Sequence, residues 1–208
     1  MKAYRWVAAS TALLSAAALG LQMGLIVQSM TAGGSSAAEA AWRFLGYFTI
    51  LTNIGVTAVA AAMAWRPESL LAGPRVRLVA ATAIALVGIV YTLLLRAIWD
   101  PSGWQAVADH TLHDVMPPLF VLAWALAPHG TLRWADSGWA LLPPLAYCIY
   151  ALGRGAIDGW YAYWFLDPHT LTPVQMTGNM AVLLLGFWAV ALALVAVDRR
   201  LGHRKAKG

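Results

Sequence analysis

The chain has 208 residues, of which 61% are hydrophobic and 11% charged, against roughly 25% charged in a soluble globular domain. A soluble core of this length has no use for so much apolar surface, so the bilayer is its natural solvent, and no stretch is long enough for a separate soluble domain. The net charge of +5 sits in short basic clusters between apolar runs, which is a topology signal and excludes a nucleic-acid footprint.

Lys2 and Arg5 precede an apolar run from Trp6 to about Met30. That run is too long for the apolar region of a cleaved signal peptide, so it reads as a retained first span. A spanning helix needs about 20 apolar residues. Six segments qualify, at 5–28, 42–65, 76–99, 111–127, 138–152 and 173–197. The fifth is short and contains Pro143 and Pro144, which neighbouring helices can accommodate. The expected fold is an all-α integral membrane protein, a single six-helix bundle over 1–208. Cys148 lies inside an apolar run and reads as a buried, inert thiol. The loop at 31–38 is Gly- and Ser-rich and reads as flexible.

The loops set the orientation. Lys2 and Arg5; Arg66, Arg75 and Arg77; Arg133; and Arg199, Arg200, Arg204, Lys205 and Lys207 all fall on one side. The other three of the 14 basic residues, Arg43, Arg96 and Arg154, lie at the opposite helix ends near Glu39, Asp100, Asp109, Asp158 and Asp167. The positive-inside rule then places both termini in the cytoplasm. Trp42, Trp65, Trp99, Trp104, Trp134, Trp139 and Trp160 fall near span ends, as an aromatic belt does.

Polar groups inside spans are costly and mark function. Thr49, Thr52 and Asn53 share neighbouring positions on the outer half of the second span. The third span ends outside at Tyr91 and Arg96. The fourth begins with His110, His113 and Asp114 at i, i+3, i+4, which predicts one shared face. The fifth ends at Tyr150, Arg154 and Asp158, and the sixth begins with Thr172, Gln175, Thr177 and Asn179. The inner halves are almost wholly apolar. One polar pocket opening outward or into the outer leaflet accounts for this asymmetry. A threonine in a membrane helix ordinarily bonds its own i−4 carbonyl, and Arg96 and Arg154 can snorkel to headgroups. Two imidazoles and a carboxylate in a membrane-embedded cluster are harder to leave idle.

Four patches carry a resemblance: Trp42-Arg43-Phe44-Leu45 followed by Phe48-Thr49-Ile50-Leu51-Thr52-Asn53; His110-Thr111-Leu112-His113 with Pro117 after it; Arg154-Gly155; and the run from Trp160 to Asp167. Their order and spacing over nearly the whole chain resemble the androgen-induced and androgen-dependent membrane protein family and its bacterial six-span relatives. Animal members are threonine hydrolases that cleave fatty acid esters of hydroxy fatty acids. The resemblance implies Thr49 as nucleophile, with Thr52 one turn away, and His113 as its partner. Asp109 stands where animal members have Asn, and Trp164 where they have Pro; both differences bear on substrate choice.

A threonine hydroxyl needs an adjacent base, and His113 can take its proton and return it to the leaving alcohol. His110 or Asp114 can orient that imidazole. Asn53, Arg96 or Asn179 can stabilise the oxyanion. The expected protein is thus a multi-pass plasma-membrane hydrolase of lipid or fatty acyl esters, with its site toward the non-cytoplasmic side and no cofactor. The alternatives are a lipid-binding or transport protein holding an anionic headgroup on Arg96 and Arg154, and a metal site on the His-x-x-His-Asp cluster, for which no further ligand is well placed. The oligomeric state is not encoded in any recognisable pattern, since small residues pack a monomer equally well.

Overall fold

The structure is a computed structural model that describes residues 2–205. Lys207 lies outside the described residues, as do the side chains of Arg204 and Lys205. The described residues form eight α-helices: α1 (Ala3–Ala32), α2 (Ala37–Phe44), α3 (Phe48–Trp65), α4 (Pro74–Val90), α5 (Gly103–His110), α6 (Met116–Leu126), α7 (Leu142–Asp158) and α8 (Pro173–Lys205). Two π turns, Tyr91–Leu95 and Thr111–Val115, extend α4 and join α5 to α6. Among the described residues there is no strand.

Five helical segments are long and apolar enough to cross a membrane: Ala3–Ala32, Phe48–Trp65, Pro74–Leu95, Trp134–Asp158 and Pro173–His203. Large apolar side chains face outward along them. Ile149 is 76% exposed, Val182 69% and Leu13 64%, a distribution that only an apolar surrounding makes stable. The core is built largely from Ala, Val and Met where α1, α3, α4 and α6 meet, with Phe120, Ile84 and Met63 fully buried.

Several boundaries differ from the sequence expectation. The second span begins at Phe48 and not at Trp42, because the chain breaks at 45–47 and the preceding residues form the separate helix α2. The fifth runs from Trp134 to Asp158, with a 3-10 turn at Trp134–Leu141 placed before its prolines. The expected fourth span, 111–127, is the second half of a continuous helical stretch over 103–126. It is not among the five apolar segments, because Asp109, His110, His113 and Asp114 crowd its first half.

Arg5 near the start of α1 meets Ala64 near the end of α3, and Arg77 near the start of α4 meets Pro128 just after α6, so each of these helix pairs runs antiparallel. Taking the end where α3 begins as upper, the lower end gathers Arg5, Arg75, Arg77 and Arg199. Arg5 donates to the Ala64 carbonyl, Arg75 pairs with Asp136 at 2.7 Å, Arg77 donates to the Pro128 carbonyl, and Arg199 lies over Trp134. The lower half is less uniformly apolar than its sequence suggests, because His129 and Asp198 are buried there and meet at 2.8 Å. Asp198 also accepts the N–H groups of Gly130 and Leu132, and the other ring nitrogen of His129 donates to the Ala125 carbonyl. Each ring nitrogen of His129 therefore faces an oxygen of a neighbouring segment. This junction ties the end of α6 to α8. Removing one partner of a buried charged pair costs about 3–5 kcal/mol. Asp198→Ala is therefore expected to lower the thermal unfolding midpoint in detergent by on the order of 10 °C. A midpoint within a degree of wild type would show that the pair carries no stability.

Candidate active site at the upper end of the bundle

The site begins with a helix start. Gly46 sits where an added Cβ would lie 2.5 Å from the Trp160 ring and 2.9 Å from the Arg154 guanidinium, so any larger residue forces one of them to shift. The turn is then clamped: the Tyr147 hydroxyl donates to the Gly46 carbonyl at 2.8 Å and the Tyr150 hydroxyl to the Leu45 carbonyl at 3.1 Å. α3 starts at Phe48, which places Thr49 in its first turn, where backbone N–H groups lack intrahelical partners. The amide of Thr49 donates to the Tyr163 hydroxyl at 3.4 Å.

This position removes the ordinary role of a membrane threonine. Thr11, Thr31, Thr57, Thr111 and Thr177 each donate to their i−4 carbonyl. Thr49 does not, and its i−4 carbonyl, on Leu45, is occupied by Tyr150. The Thr49 hydroxyl lies instead 3.2 Å from Nε2 of His113.

His113 sits in the π turn Thr111–Val115. Pro117 and Pro118 follow it, and a proline both lacks an N–H and collides with the carbonyl four residues before it. A π turn relieves this locally and is common at functional sites. Gly88 on α4 gives the widened turn room: an added Cβ would lie 3.1 Å from Pro117 and 3.3 Å from the His113 carbonyl.

Asp109 completes the arrangement. Nδ1 of His113 is 3.0 Å from the Asp109 backbone carbonyl and 3.3 Å from its carboxylate. Both are acceptors, so Nδ1 carries the proton and the Nε2 lone pair faces the Thr49 hydroxyl. The Asp109 carboxylate is buried and also accepts from the Tyr91 hydroxyl at 2.5 Å and from Nε1 of Trp99 at 3.2 Å. The Tyr91 ring stacks on the imidazole, with centroids 4.1 Å apart and planes 15° from parallel. The two π turns thus face each other, one holding His113 and the other opening with Tyr91.

Thr49, His113, Asp109 and Tyr91 all line one cavity of about 470 Å³, within the range of small-molecule sites. Leu25, Ile26 and Met30 of α1 form an apolar wall. A narrower apolar pocket of about 60 Å³ touches Thr49 and Tyr163 from the other side, among Val90, Tyr147, Leu166 and Met180.

The other predicted site residues lie elsewhere. Thr52 is buried, makes no hydrogen bond with His113 among the described residues and does not line the cavity. Asn53 donates to the Thr49 carbonyl at 2.9 Å, bracing the helix turn and not reaching the hydroxyl. His110, His113 and Asp114 do not act as one cluster: the i, i+4 pairs are Asp109 with His113 and His110 with Asp114, so the groups serve different partners. Asp114 holds Arg96 and His110 on the exposed side, and neither His110 nor Asp114 orients His113. Arg154 is buried beneath Trp42 and Trp160, with Asp158 3.6 Å from its Nε. Arg96 and Arg154 therefore each face a carboxylate and do not form one headgroup site. Asn179 donates to the Phe165 carbonyl at 3.1 Å, securing the turn Trp164–Leu166. The missed residues are Asp109, Tyr91, Trp99 and Tyr163. The i, i+4 spacing of Asp109 and His113 was the one readable signal.

No protein family, curated protein or solved structure matches the chain in comparisons with each. The site is therefore described by its own geometry.

The clamp at Gly46 makes a direct test. Gly46→Ala is expected to displace Trp160 or Arg154 and to destabilise by about 1–3 kcal/mol. Gly20→Ala has open space at its Cβ and is expected to leave the midpoint unchanged or raise it. Thermal unfolding of both variants in one detergent compares them; equal midpoints would contradict the clamp.

Proposed function

We propose that this protein is an intramembrane hydrolase of lipid acyl esters, with Thr49 as nucleophile, His113 as general base and acid, and Asp109 as the group that orients His113. The observation that carries this reading is the hydroxyl–imidazole–carboxylate line, 3.2 Å from Thr49 to Nε2 and 3.3 Å from Nδ1 to Asp109. That line follows the logic of nucleophile, base and orienting acid that recurs on unrelated folds. The resemblance of the motifs around Thr49 and His113 to the androgen-induced membrane protein family supports the same pair, and through it fatty acid esters of hydroxy fatty acids or related acyl lipids as substrates.

In the reaction, the Thr49 hydroxyl oxygen attacks the ester carbonyl carbon as its proton passes to Nε2 of His113. The oxyanion forms beside the first turn of α3, whose positive dipole end stabilises negative charge, and beside the Tyr163 hydroxyl. Collapse breaks the ester C–O bond, and Nε2–H protonates the departing alkoxide. Water then adds to the acyl-threonine as His113 takes its proton. The second collapse expels the Thr49 oxygen, which regains that proton, and releases the carboxylic acid. The apolar α1 wall suits an acyl chain, and the narrow pocket behind Thr49 offers a place for the substituent on the other side of the ester.

For topology, we read 103–126 as a further crossing, giving six, with both termini in the cytoplasm. The gathering of Arg5, Arg75, Arg77 and Arg199 at the lower end supports this through the positive-inside rule. The cavity then faces the non-cytoplasmic side.

A hydrolase-directed fluorophosphonate probe is expected to label the wild type and Thr52→Ala, and not Thr49→Ala or His113→Ala. Labelling of Thr49→Ala at the wild-type level would sink the assignment. Asp109→Asn keeps the shape but disturbs the tautomer, and is expected to lower kcat on a long-chain acyl ester about 10²–10⁴-fold. For orientation, single cysteines in a Cys148→Ala background are informative. Ala38→Cys is expected to react with an impermeant maleimide in intact cells, and Glu68→Cys only after lysis; the reverse pattern would invert the topology.

A further inference from the structure

A second cavity, of about 340 Å³, lies at the lower end, where the starts of α1 and α4 meet the end of α3. Its wall includes Tyr4, Glu68, Ser69, Gly73, Pro74 and Arg77. Arg77 is 7% exposed. Its Nη2 donates to the Pro128 carbonyl at 2.9 Å, and its Nε, although buried, has no partner among the described residues. The Ser69 hydroxyl is also buried and has none either. The buried carboxylates of this end are taken. Asp198 is held by His129 and by the N–H groups of Gly130 and Leu132, and Asp136 by Arg75 and the N–H of Arg133. Among the described residues no carboxylate forms an ion pair with Arg77, and Asp198 acts on it only at longer range.

The start of α4 adds positive charge to the same cavity. The 17-residue helix begins on Gly73 and Pro74, no side chain caps it, and its first turn holds no acidic residue. The positive end of its dipole is therefore uncompensated from within the helix. A guanidinium cannot discharge by losing its proton, and a buried donor without a partner is costly. A buried, unpartnered guanidinium nitrogen and an unpartnered hydroxyl beside a helix start together describe an oxyanion site.

An arginine by itself suits a carboxylate as well as a phosphate. Glu68 and the apolar rim narrow the choice. Glu68 lines the same cavity, is exposed, and forms no ion pair among the described residues. The wall thus holds one cation and one anion that do not meet, which is the complement of a zwitterion. Leu70, at the rim, is 92% exposed, and Leu71 and Trp65 beside it are 50% and 53% exposed, so the cavity opens among side chains suited to a membrane boundary. The zwitterions at that depth of a bilayer are phospholipid headgroups. We propose that this cavity binds the headgroup of a membrane phospholipid ending in a primary ammonium, with its phosphate on Arg77 and Ser69 and its ammonium on Glu68. A primary ammonium has N–H groups to donate to a carboxylate. A trimethylated ammonium has none and is recognised by aromatic cages, whereas Tyr4 is the one aromatic residue in this wall. The site is at the opposite end of the bundle from Thr49 and stands apart from the hydrolase reading.

Native mass spectrometry of the whole protein in a neutral detergent counts bound lipid directly. With dioleoyl lipids added, the wild type is expected to bind phosphatidylethanolamine about tenfold more tightly than phosphatidylcholine or phosphatidylglycerol, the span that one charge-assisted contact supplies. In Glu68→Gln the ethanolamine lipid is expected to fall to the level of the choline lipid, which itself stays unchanged. In Arg77→Gln both are expected to weaken by about tenfold or more, because both present the same phosphate. Arg200→Gln, which removes an exposed cation from the same end, is expected to change neither. Equal binding of the ethanolamine and choline lipids by the wild type, an unchanged preference in Glu68→Gln, or tighter binding of phosphatidylglycerol overturns the proposal. So does a loss in Arg200→Gln equal to that in Arg77→Gln, which is the mark of diffuse surface charge. O-phosphoethanolamine and inorganic phosphate carry no acyl chain to meet Leu70 and Trp65, and are expected not to displace the lipid. Displacement by either at concentrations similar to the lipid's makes the ligand a soluble anion and overturns the lipid assignment. The wild-type comparison and the exposed Glu68→Gln change leave the buried groups intact, so misfolding of Arg77→Gln cannot hide the answer.

Discussion

The donation from Nδ1 of His113 to Asp109 decides which ring nitrogen faces Thr49, and most of the upper end is built to maintain it. An imidazole free to rotate presents either nitrogen, and only one arrangement leaves a lone pair on the threonine hydroxyl. Asp109 can hold the ring only if it is itself fixed. Tyr91 and Trp99 fix it through two further hydrogen bonds, and Tyr91 also stacks on the ring. In an apolar bundle few waters compete for these groups, so each bond is stronger and each missing partner more costly than at an aqueous surface. That is a physical reason for finding five polar side chains so fully interlocked.

Irregular backbone gathers around this site for a related cause. Regular helices satisfy their own backbone and suit a bilayer, so departures survive only where protein covers them. Here there are three: the break before α3 and the two π turns. The break turns a mid-helix threonine into a first-turn threonine, with its hydroxyl released from helix bonding and its amide given to Tyr163. The π turn after α5 swings His113 toward that hydroxyl. The π turn after α4 opens with Tyr91. Glycines stand at two of the contacts where neighbours press closest, Gly46 under Trp160 and Gly88 against Pro117.

The two ends of the bundle use charge differently. At the lower end, His129, Asp198, Arg75 and Asp136 are matched internally and hold helices together. At the upper end, Arg96 and Arg154 are matched as well, but Arg43 rests on an aromatic face above a cavity. The cavity thus brings the Thr49 hydroxyl, the His113 imidazole and the Arg43 guanidinium together on walls that are otherwise largely apolar.

Hydropathy alone made the helical, membrane-type class legible, because apolar runs of spanning length have no other stable solvent. The pairing of Thr49 with His113 was legible too, from motif resemblance and from the convergence of polar residues on one end. Their supporting cast was not. Helical spacing grouped His110, His113 and Asp114, but the same spacing also makes Asp109 and His113 neighbours, and only the tertiary contacts of Tyr91, Trp99 and Arg96 decide that His113 pairs with Asp109 while Asp114 pairs with His110. Likewise, a continuous apolar reading from 42 to 65 conceals the break at 45–47, since the break depends on Trp160, Arg154, Tyr147 and Tyr150, more than a hundred residues away in the chain. Spacing along one helix is a local property. Which hydroxyl loses its helix bond, which imidazole nitrogen faces it and which arginine is left unpaired are decided where separate helices meet.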